Sequence, residues 1–292
     1  MRIVFIGAVL FSAEVLRELL AMQVKIVGVC TLSESSFNSD HIDLTPIANS
    51  AGIPVIDATD INAKETVSVI KEWMPDVIFC FGWSRLIKRP LLELPSLGVI
   101  GFHPTALPAN RGRHPLIWAL VLGLSETAST FFFMDEGADS GDILSQQMVQ
   151  ISGEDNARTL YQRITKTALS QIRDFLPSLI DGSFERKSQG QLNINSWRKR
   201  FRTDGQIDWR MAAESIHNLV RGLTHPYVGA HFDFDGNSIK VWRTLLEADV
   251  PLNIEPGKVL ESGGGAALVK AGIGGIRLLD IEPKVTLKPG TY

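Results

Sequence analysis

The sequence predicts an α/β fold in which helices flank a mostly parallel sheet, followed by a smaller unit built of short strands. Up to residue 182, continuous apolar runs alternate with segments of helical periodicity, as in a sheet whose strands are joined by helices. A polar, aperiodic stretch follows, and short strands with turn signals then occur at close spacing, which suggests a small barrel or sandwich. Apolar residues make up 45% of the 292 residues, which is enough to bury sizeable cores.

The strands and helices of the first part are predicted from periodicity and from helix start and stop signals. The run RIVFIG ends in Gly7 and is typical of a buried parallel strand, and Ser12 is a candidate N-cap for the next helix. Further strands are predicted at 24–31, 53–57, 75–83, 128–135 and 142–152. Further helices are predicted at 43–52, 63–74, 115–124 and 156–182. Pro115 suits a first helical turn, and Gly182 suits a helix end.

The composition of the chain changes after residue 183. We expect a first domain over 1–183, a linker over 184–206 and a second domain over 207–292. The second domain begins with a helix at 212–223, and Asp235-Gly236 predicts a hairpin turn between its first two strands.

Composition and charge exclude several classes of protein. The formal net charge is −3, so the chain as a whole does not attract DNA, RNA or an anionic membrane. Cys30 and Cys80 both lie in apolar runs and are predicted to be buried core thiols, with no disulfide framework and no metal-ligand spacing. No apolar run approaches the ~20 residues of a membrane span, and the first apolar run is too short for a signal peptide. We therefore expect a soluble, cytoplasmic protein.

The turn after the first strand does not carry a nucleotide-binding signature. It reads FIGAVLFSAE and has a single glycine, whereas dinucleotide-binding turns need several glycines for close approach of the backbone to phosphate. A glycine at a tight strand-to-helix turn explains this segment better.

Two segments could carry chemistry. The first is VIGFHPTALPANRGRHPLIWAL, with His103, and the second is MDEGADSGDIL, with Asp135, Asp139 and Asp142 close together. Both follow apolar strands, so we expect both to emerge at the same edge of the sheet. A carboxylate that orients an imidazole would give an acid–base pair. From the residues alone, His103 could equally be a structural hydrogen-bonding group, and Asp139 could cap backbone N–H groups of its turn.

The whole chain resembles the folate-dependent formyltransferases, in their two-domain, methionyl-tRNA formyltransferase-like form. That family carries Asn-x-His, then a SLLP-x-x-RG loop, then an Asp in a D-x-G-x-(I/L)-L turn. The matching segments here are Gly101-Phe102-His103, TALPANRG (105–112) and DSGDIL (139–144). In the second domain, IDW (207–209) and KVW (240–242) also match.

The resemblance implies a Rossmann-like first domain, an OB-like second domain and no metal. It implies 10-formyltetrahydrofolate as the co-substrate and a primary amine as the acceptor. His103 would be the acid–base or oxyanion partner, and Asp139 would orient it and help the proton leave. The residues implied to contact the folate are Phe81, Trp83, Arg85, Leu86, Ile87, Thr105, Ala106, Leu107, Pro108, Gly137 and Ala138. For Leu107 and Pro108, packing of the loop is an equal alternative.

The chain departs from the family at Gly101, which stands where the family has the Asn whose amide stabilises the developing oxyanion. Losing one such donor typically costs ~10²–10³ in rate. We consider three explanations. A neighbour such as His114 or Asn110 could donate instead, the glycine could make room for a bulkier substrate or a donating water, or catalysis could be weak or lost. His114 could also simply begin its helix, where a neutral imidazole is favoured.

The charge pattern indicates the class of acceptor. In the tRNA enzymes, a basic insertion follows the second strand, but the segment 26–63 of this chain contains no Lys or Arg. Basic residues cluster only in WRKRFR (197–202), where Arg200 or Arg202 could pair with a diphosphate, as the resemblance of RFRTDGQIDW to sugar-nucleotide formyltransferases implies. Arg111 and His114 are further candidates for substrate binding, and Trp83 and Trp197 offer faces for stacking.

We therefore predict formyl transfer to a small, nucleotide-linked amino sugar, with neither tRNA nor DNA as a partner. Two alternatives stay open. One is methionyl-tRNA formylation, and the other is a folate-binding protein whose activity is lost or hydrolytic because the family Asn is Gly101.

Overall fold

The computed structural model describes residues 1–35 and 38–292. Ser36 and Phe37, which belong to the segment 26–63 without basic residues, lie outside the described residues. The chain forms two compact units, each assembled from three segments. The first comprises Met1–Gly112, Thr127–Val149 and Arg163–Trp197, and the second comprises Arg113–Glu126, Gln150–Gln162 and Arg198–Tyr292. The domain boundaries at 183 and 206 stay a prediction.

Helices and strands alternate as predicted through the first half of the chain. The strands are β1 (Ile3–Ile6), β2 (Ile26–Thr31), β3 (Val55–Asp57), β4 (Val77–Cys80), β5 (Val99–His103), β6 (Arg111–Gly112), β7 (Glu126–Phe133) and β8 (Ile143–Gln150). The helices are α1 (Leu10–Ala21), α2 (Thr45–Ser50), α3 (Lys64–Glu72), α4 (Arg89–Leu92), α5 (Pro115–Val121) and α6 (Ala157–Asp181).

The second half of the chain holds the remaining elements. They are β9 (Ser196–Trp197), a 3₁₀ turn (Arg202–Gly205), α7 (Ala213–Leu223), β10 (Ala230–Phe234), β11 (Asn237–Glu247), β12 (Val259–Gly263), β13 (Ala266–Lys270) and β14 (Gly275–Glu282). Asp235 and Gly236 both have positive φ, +48° and +74°, so the predicted hairpin turn is confirmed.

The main sheet has seven strands in the order β3-β2-β1-β4-β5-β7-β8. Its first five strands run parallel, and every residue of β1 and β4 is buried, which explains their unbroken apolar sequences. β7 runs antiparallel to β5, with Ile100 opposite Phe133 and His103 opposite Thr130. The predicted Rossmann-like, mostly parallel sheet is confirmed.

The C-terminal sheet has five strands in the order β10-β11-β14-β13-β12, with antiparallel pairing between neighbours. Helix α7 supplies the other half of this core, since Ile216, Leu219 and Val220 are buried in one cluster with residues of the sheet. The small C-terminal β domain is therefore also confirmed.

Two local predictions can be compared with the structure. The predicted N-cap, Ser12, is wrong: α1 begins at Leu10, and Ser12 lies in its first turn, where its hydroxyl donates to the carbonyl of Phe81 at 2.6 Å. The predicted burial of Cys30 and Cys80 is confirmed, and burial raises the pKa of the Cys80 thiol to about 12. Such thiols are poor nucleophiles because the reactive species is the thiolate.

Within the described part of the chain, no helix combines the length and the apolar character needed to cross a membrane.

Candidate active site

His103 is the last residue of β5 and is held by the loop that follows it. Its side chain is buried, and its Nε2 lies 2.9 Å from the carbonyl oxygen of Asn110. Because a carbonyl can only accept, Nε2 must carry the proton of this hydrogen bond. In the neutral imidazole, Nδ1 then has a free lone pair, so His103 is oriented as a base at Nδ1.

Asp139 faces this free nitrogen. Its Oδ2 lies 3.6 Å from His103 Nδ1, just beyond hydrogen-bond distance, and accepts a hydrogen bond from the backbone N–H of Gly112 at 2.9 Å. The Asp139 side chain is 21% exposed, whereas that of His103 is 6% exposed. A carboxylate at this distance stabilises an imidazolium that has gained a proton at Nδ1.

The two residues meet for a different reason from the one predicted. We expected both loops to leave the same edge of the sheet, but β5 and β7 are antiparallel, and β7 ends level with Ile100 rather than with His103. The loop after β7 therefore has to double back to bring Asp139 to the imidazole. Asp139 itself has a φ of +54°, a conformation that Asp tolerates better than most residues.

The space beside Gly101 is filled by the protein. A Cβ built on Gly101 would lie 2.9 Å from Met134 Cγ and 3.0 Å from two ring carbons of Phe132. The alternative in which the glycine leaves room for substrate or water is therefore wrong for the volume next to its α carbon.

The predicted folate-facing residues of the first segment differ in exposure. Phe81 is fully buried among other aromatic rings, stacked on Phe79 with a centroid distance of 5.1 Å, so its side chain is part of the core. Ile87 is also buried, whereas Arg85 and Leu86 are exposed. Trp83 is partly buried, and its indole Nε1 is buried without a hydrogen-bond partner among the described residues. An unpaired buried donor is unusual and fits a ligand that would accept from it.

The TALP loop is fixed by its own hydrogen bonds. The buried Thr105 donates through Oγ1 to the carbonyl of Ala109 at 3.0 Å, and its own carbonyl accepts from Thr130 Oγ1 at 2.6 Å. Leu107 is buried beside Phe132, so the side chains of Thr105 and Leu107 serve loop packing. Of the residues expected to face the folate, Ala106 and Pro108 are partly exposed in this loop, and Gly137 and Ala138 are exposed in the Asp139 loop.

Arg111 is partly buried in the first unit. Its Nη2 donates to Gln189 Oε1 at 2.6 Å, while its Nε is buried and has no partner in the described part of the chain.

The other predicted substrate residues belong to the second unit. Burial, followed by the positive charges of Arg113 and Arg200, lowers the pKa of His114, so this imidazole is neutral at pH 7. Arg200 is buried, lies over the Trp118 ring at 4.6 Å and donates to the carbonyl of Asp204. Arg202 is exposed and makes one long hydrogen bond, 3.3 Å, to Ser238 Oγ. Of the two, Arg202 is the one free to meet a ligand in solvent.

Sequence reasoning missed the side chains that hold this loop cluster in place. Gln189 and Asn195 come from the segment predicted as a linker, yet Gln189 is buried and both contact the loops around His103 and Asp139. Their segment is polar and aperiodic, so neither hydrophobic period nor a motif marks them.

No group of three or more His, Cys, Asp or Glu side chains that could hold a metal ion occurs among the residues that the structure describes.

Two family models match this chain. Residues 1–174 match the family described as formyl transferase, and residues 201–289 match the formyl transferase C-terminal domain. A methionyl-tRNA formyltransferase of Geotalea daltonii is 31% identical over 299 residues, which cover 100% of this chain and 94% of the relative.

Two solved structures share the fold at lower identity. One is WlaRD, a sugar 3N-formyltransferase in the presence of dTDP and 5-N-formyltetrahydrofolate, with a TM-score of 0.73, 18% identity and coverage of 98% of this chain and 99% of that chain. The other is an N-formyltransferase from Helicobacter canadensis with folinic acid and dTDP-3-aminofucose, with a TM-score of 0.70, 17% identity and coverage of 94% and 97%.

Proposed function

The chain belongs to the formyl transferase family and is a formyltransferase, and we propose that it transfers the formyl group of 10-formyltetrahydrofolate to the primary amine of a small amino sugar. The sugar is proposed to be nucleotide-linked. The observation that carries the proposal is the juxtaposition of His103 Nδ1, at the end of β5, and Asp139 Oδ2, which are 3.6 Å apart.

Formyl transfer to an amine needs a group that takes the proton of the attacking nitrogen. His103 Nδ1 suits this role because Nε2 already carries a proton that is held by the Asn110 carbonyl. Asp139 would then stabilise the imidazolium, and its partial exposure lets it pass the proton to solvent. The assignment of these roles to His103 and Asp139 is part of the proposal.

The reaction also needs a hydrogen-bond donor for the carbonyl oxygen as negative charge develops on it. Gly101 cannot donate through a side chain, and we propose that Asn110 replaces the family Asn. The backbone N–H of Asn110 donates to Asn195 Oδ1 at 2.6 Å, which fixes the orientation of the Asn195 amide. Asn195 Nδ2 then donates to Asn110 Oδ1 at 2.9 Å, and this leaves Asn110 Nδ2 available as a donor.

The residues of the first unit fit a folate. The bound donor would supply an activated formyl group. Trp83, with its unpaired buried N–H, and the partly exposed Ala106 and Pro108 would hold it, as would the exposed loop residues Gly137 and Ala138. A buried donor without a partner is explained by a ligand that accepts from it.

The charge distribution supports a small acceptor. The segment 26–63 contains no Lys or Arg and contains Glu34, Asp40 and Asp43, so it would repel an RNA backbone. In the second unit, Arg202 is exposed and offers a guanidinium for a diphosphate. The fold shared with two sugar N-formyltransferases is consistent with this acceptor.

Methionyl-tRNA is the second candidate acceptor. It is favoured by the relative from Geotalea daltonii, which covers the whole chain and is named a methionyl-tRNA formyltransferase. Binding of tRNA needs an extended surface of Lys and Arg, because neutralisation of phosphates dominates affinity for nucleic acid, whereas a small amino sugar does not need one.

The deciding experiment offers each acceptor in parallel. The protein is incubated with 10-formyltetrahydrofolate and either a panel of nucleotide-linked amino sugars or methionyl initiator tRNA, and release of tetrahydrofolate and the mass of the formylated product are measured. Transfer to one or more sugars with none to tRNA is expected. Turnover with tRNA alone would overturn the amino-sugar proposal, and folate binding without any transfer would indicate that activity has been lost.

A further inference from the structure

The segment between α6 and the C-terminal unit contributes two side chains to the loops around His103 and Asp139. Gln189 is 7% exposed, and its amide makes three hydrogen bonds. Its Nε2 donates to the carbonyls of Asp139 and Gly141, at 2.9 Å and 2.7 Å, and its Oε1 accepts from Arg111 Nη2 at 2.6 Å. Both hydrogens of the amide are used on the loop that presents Asp139.

Asn195 holds the loop that follows His103. Its side-chain amide exchanges two hydrogen bonds with Asn110, and its backbone carbonyl accepts from the backbone N–H of Arg111 at 3.1 Å. The carbonyl of Asn110 is in turn the acceptor for His103 Nε2. The same segment therefore contacts both partners indirectly. Asn195 binds Asn110, whose carbonyl holds the His103 imidazole, and Gln189 binds the loop that carries the Asp139 carboxylate.

The strand pairing beside these residues holds the segment against the loops. Arg111 and Gly112 pair with Ser196 and Trp197. Gly112 has a φ of +101°, and a Cβ on it would lie 2.3 Å from the carbonyl oxygen of Trp197, so only glycine allows this approach. The same glycine donates its N–H to Asp139 Oδ2.

We propose that Gln189 and Asn195 are positioning residues for formyl transfer, with Gln189 fixing the loop of Asp139 and Asn195 fixing the backbone carbonyl that orients His103. This inference rests on the function proposed above. Neither residue touches the reacting atoms. A displacement of reacting groups by about 1 Å can cost about 100-fold in rate, so we expect their loss to appear in kcat.

The test replaces the donor end of each amide. Gln189→Glu places an oxygen against the carbonyls of Asp139 and Gly141, and we expect kcat to fall about 10- to 100-fold while KM for both substrates changes less than about twofold. The matched control is Gln191→Glu, two residues away, exposed and with the same change of charge. A Gln189→Glu enzyme with unchanged kcat, or one altered mainly in KM, would overturn the proposal.

A double-mutant cycle separates positioning from a general loss of structure. Because Gln189 acts through Asp139, we expect Gln189→Glu to have less than about a twofold further effect on kcat in the Asp139→Asn background. Additive losses in the cycle would indicate a merely structural role and would contradict the proposal. If Gln189→Glu fails to fold, kcat is measured for Asn195→Asp instead, with the exposed Asn193→Asp as its control, and equal kcat values in these two variants would contradict the proposal.

A measurement without turnover keeps this inference distinct from the proposed function. The ¹H–¹⁵N imidazole signals of His103, identified by their loss in His103→Ala, are expected to shift in Asn195→Asp and to stay unchanged in Asn193→Asp. Unchanged signals in both variants would overturn the role of Asn195. An absence of formyl transfer by the wild-type protein would instead refute the proposed function. The change in the imidazole signals would still show whether Asn195 orients the His103 ring.

Discussion

His103 and Asp139 approach each other with Nδ1 and Oδ2 3.6 Å apart, while the opposite nitrogen of the imidazole donates to the backbone carbonyl of Asn110. The backbone therefore sets the tautomer of His103, and the carboxylate is left to act on the nitrogen that gains a proton.

Asp139→Asn keeps the shape of the side chain and removes its charge. We expect kcat for formyl transfer to fall about 10²–10⁴-fold, the usual contribution of a positioned acid–base group, because an imidazolium at His103 is no longer stabilised. Steady-state kinetics will measure this, with Glu136→Gln, an exposed residue of the same loop, as the charge-matched control. Equal kcat values in the two variants would contradict the role of Asp139.

Gly101→Asn restores the family residue but places a side chain against Met134 and Phe132. Overpacking of this kind costs about 1–3 kcal/mol, so we expect a lower free energy of unfolding in urea. Met134→Ala should recover part of that loss in the double variant. The control is Gly153→Asn, where a Cβ meets no atom within 4 Å. An unchanged stability of Gly101→Asn would show that the space beside Gly101 is not filled.

Arg202→Gln tests the proposed diphosphate contact. Arg202 is exposed and makes one long hydrogen bond within the protein, so its removal should leave the fold intact. We expect KM for a nucleotide-linked amino sugar to rise about 10-fold, the equivalent of one charge-assisted hydrogen bond of about 1.4 kcal/mol. Arg243→Gln removes the same charge from another exposed site of the second unit. If both variants raise KM equally, the change in KM reflects the net charge of the protein, and the proposed contact between Arg202 and the diphosphate is contradicted.

Stability should fall as the solution becomes mildly acidic. Burial lowers the pKa of His114, His217 and His231 in the folded protein, whereas the unfolded chain takes up these protons near pH 6.5. The unfolded state therefore binds more protons below that pH, and the free energy of unfolding should decrease from about pH 7.5 to about pH 5.5. Urea unfolding across this range will measure the slope, and His217→Asn should reduce it. A flat profile would contradict burial of the neutral imidazoles.

The sequence predicted the sheet well because its parallel strands are buried on both faces. The runs IVFI and VIFC have no strongly polar residue, and the first is followed by a segment whose apolar residues recur at helical spacing. Ser12 was misassigned because an N-cap preference is a local signal, whereas the position of this hydroxyl is decided by a tertiary hydrogen bond to Phe81. The direction of β7 could not be read from its own apolar sequence.

The candidate site was predicted only in part. His103 and Asp139 follow strands and match family motifs, so sequence position indicated them. Gln189 and Asn195 lie in a stretch that contains several other Gln, Asn and Ser residues, so nothing local distinguishes them. Their contacts depend on where the returning chain meets two loops that are 50 to 85 residues away in sequence, and no local pattern encodes that approach.

The central claim is that His103 transfers a proton and does not serve binding of the folate. The most direct test is His103→Ala, with the rate of formyl transfer and the dissociation constant for the folate measured on the same preparation. We predict that transfer is abolished while the dissociation constant is nearly unchanged. A rate equal to that of the wild-type protein would remove His103 from the mechanism and contradict the account.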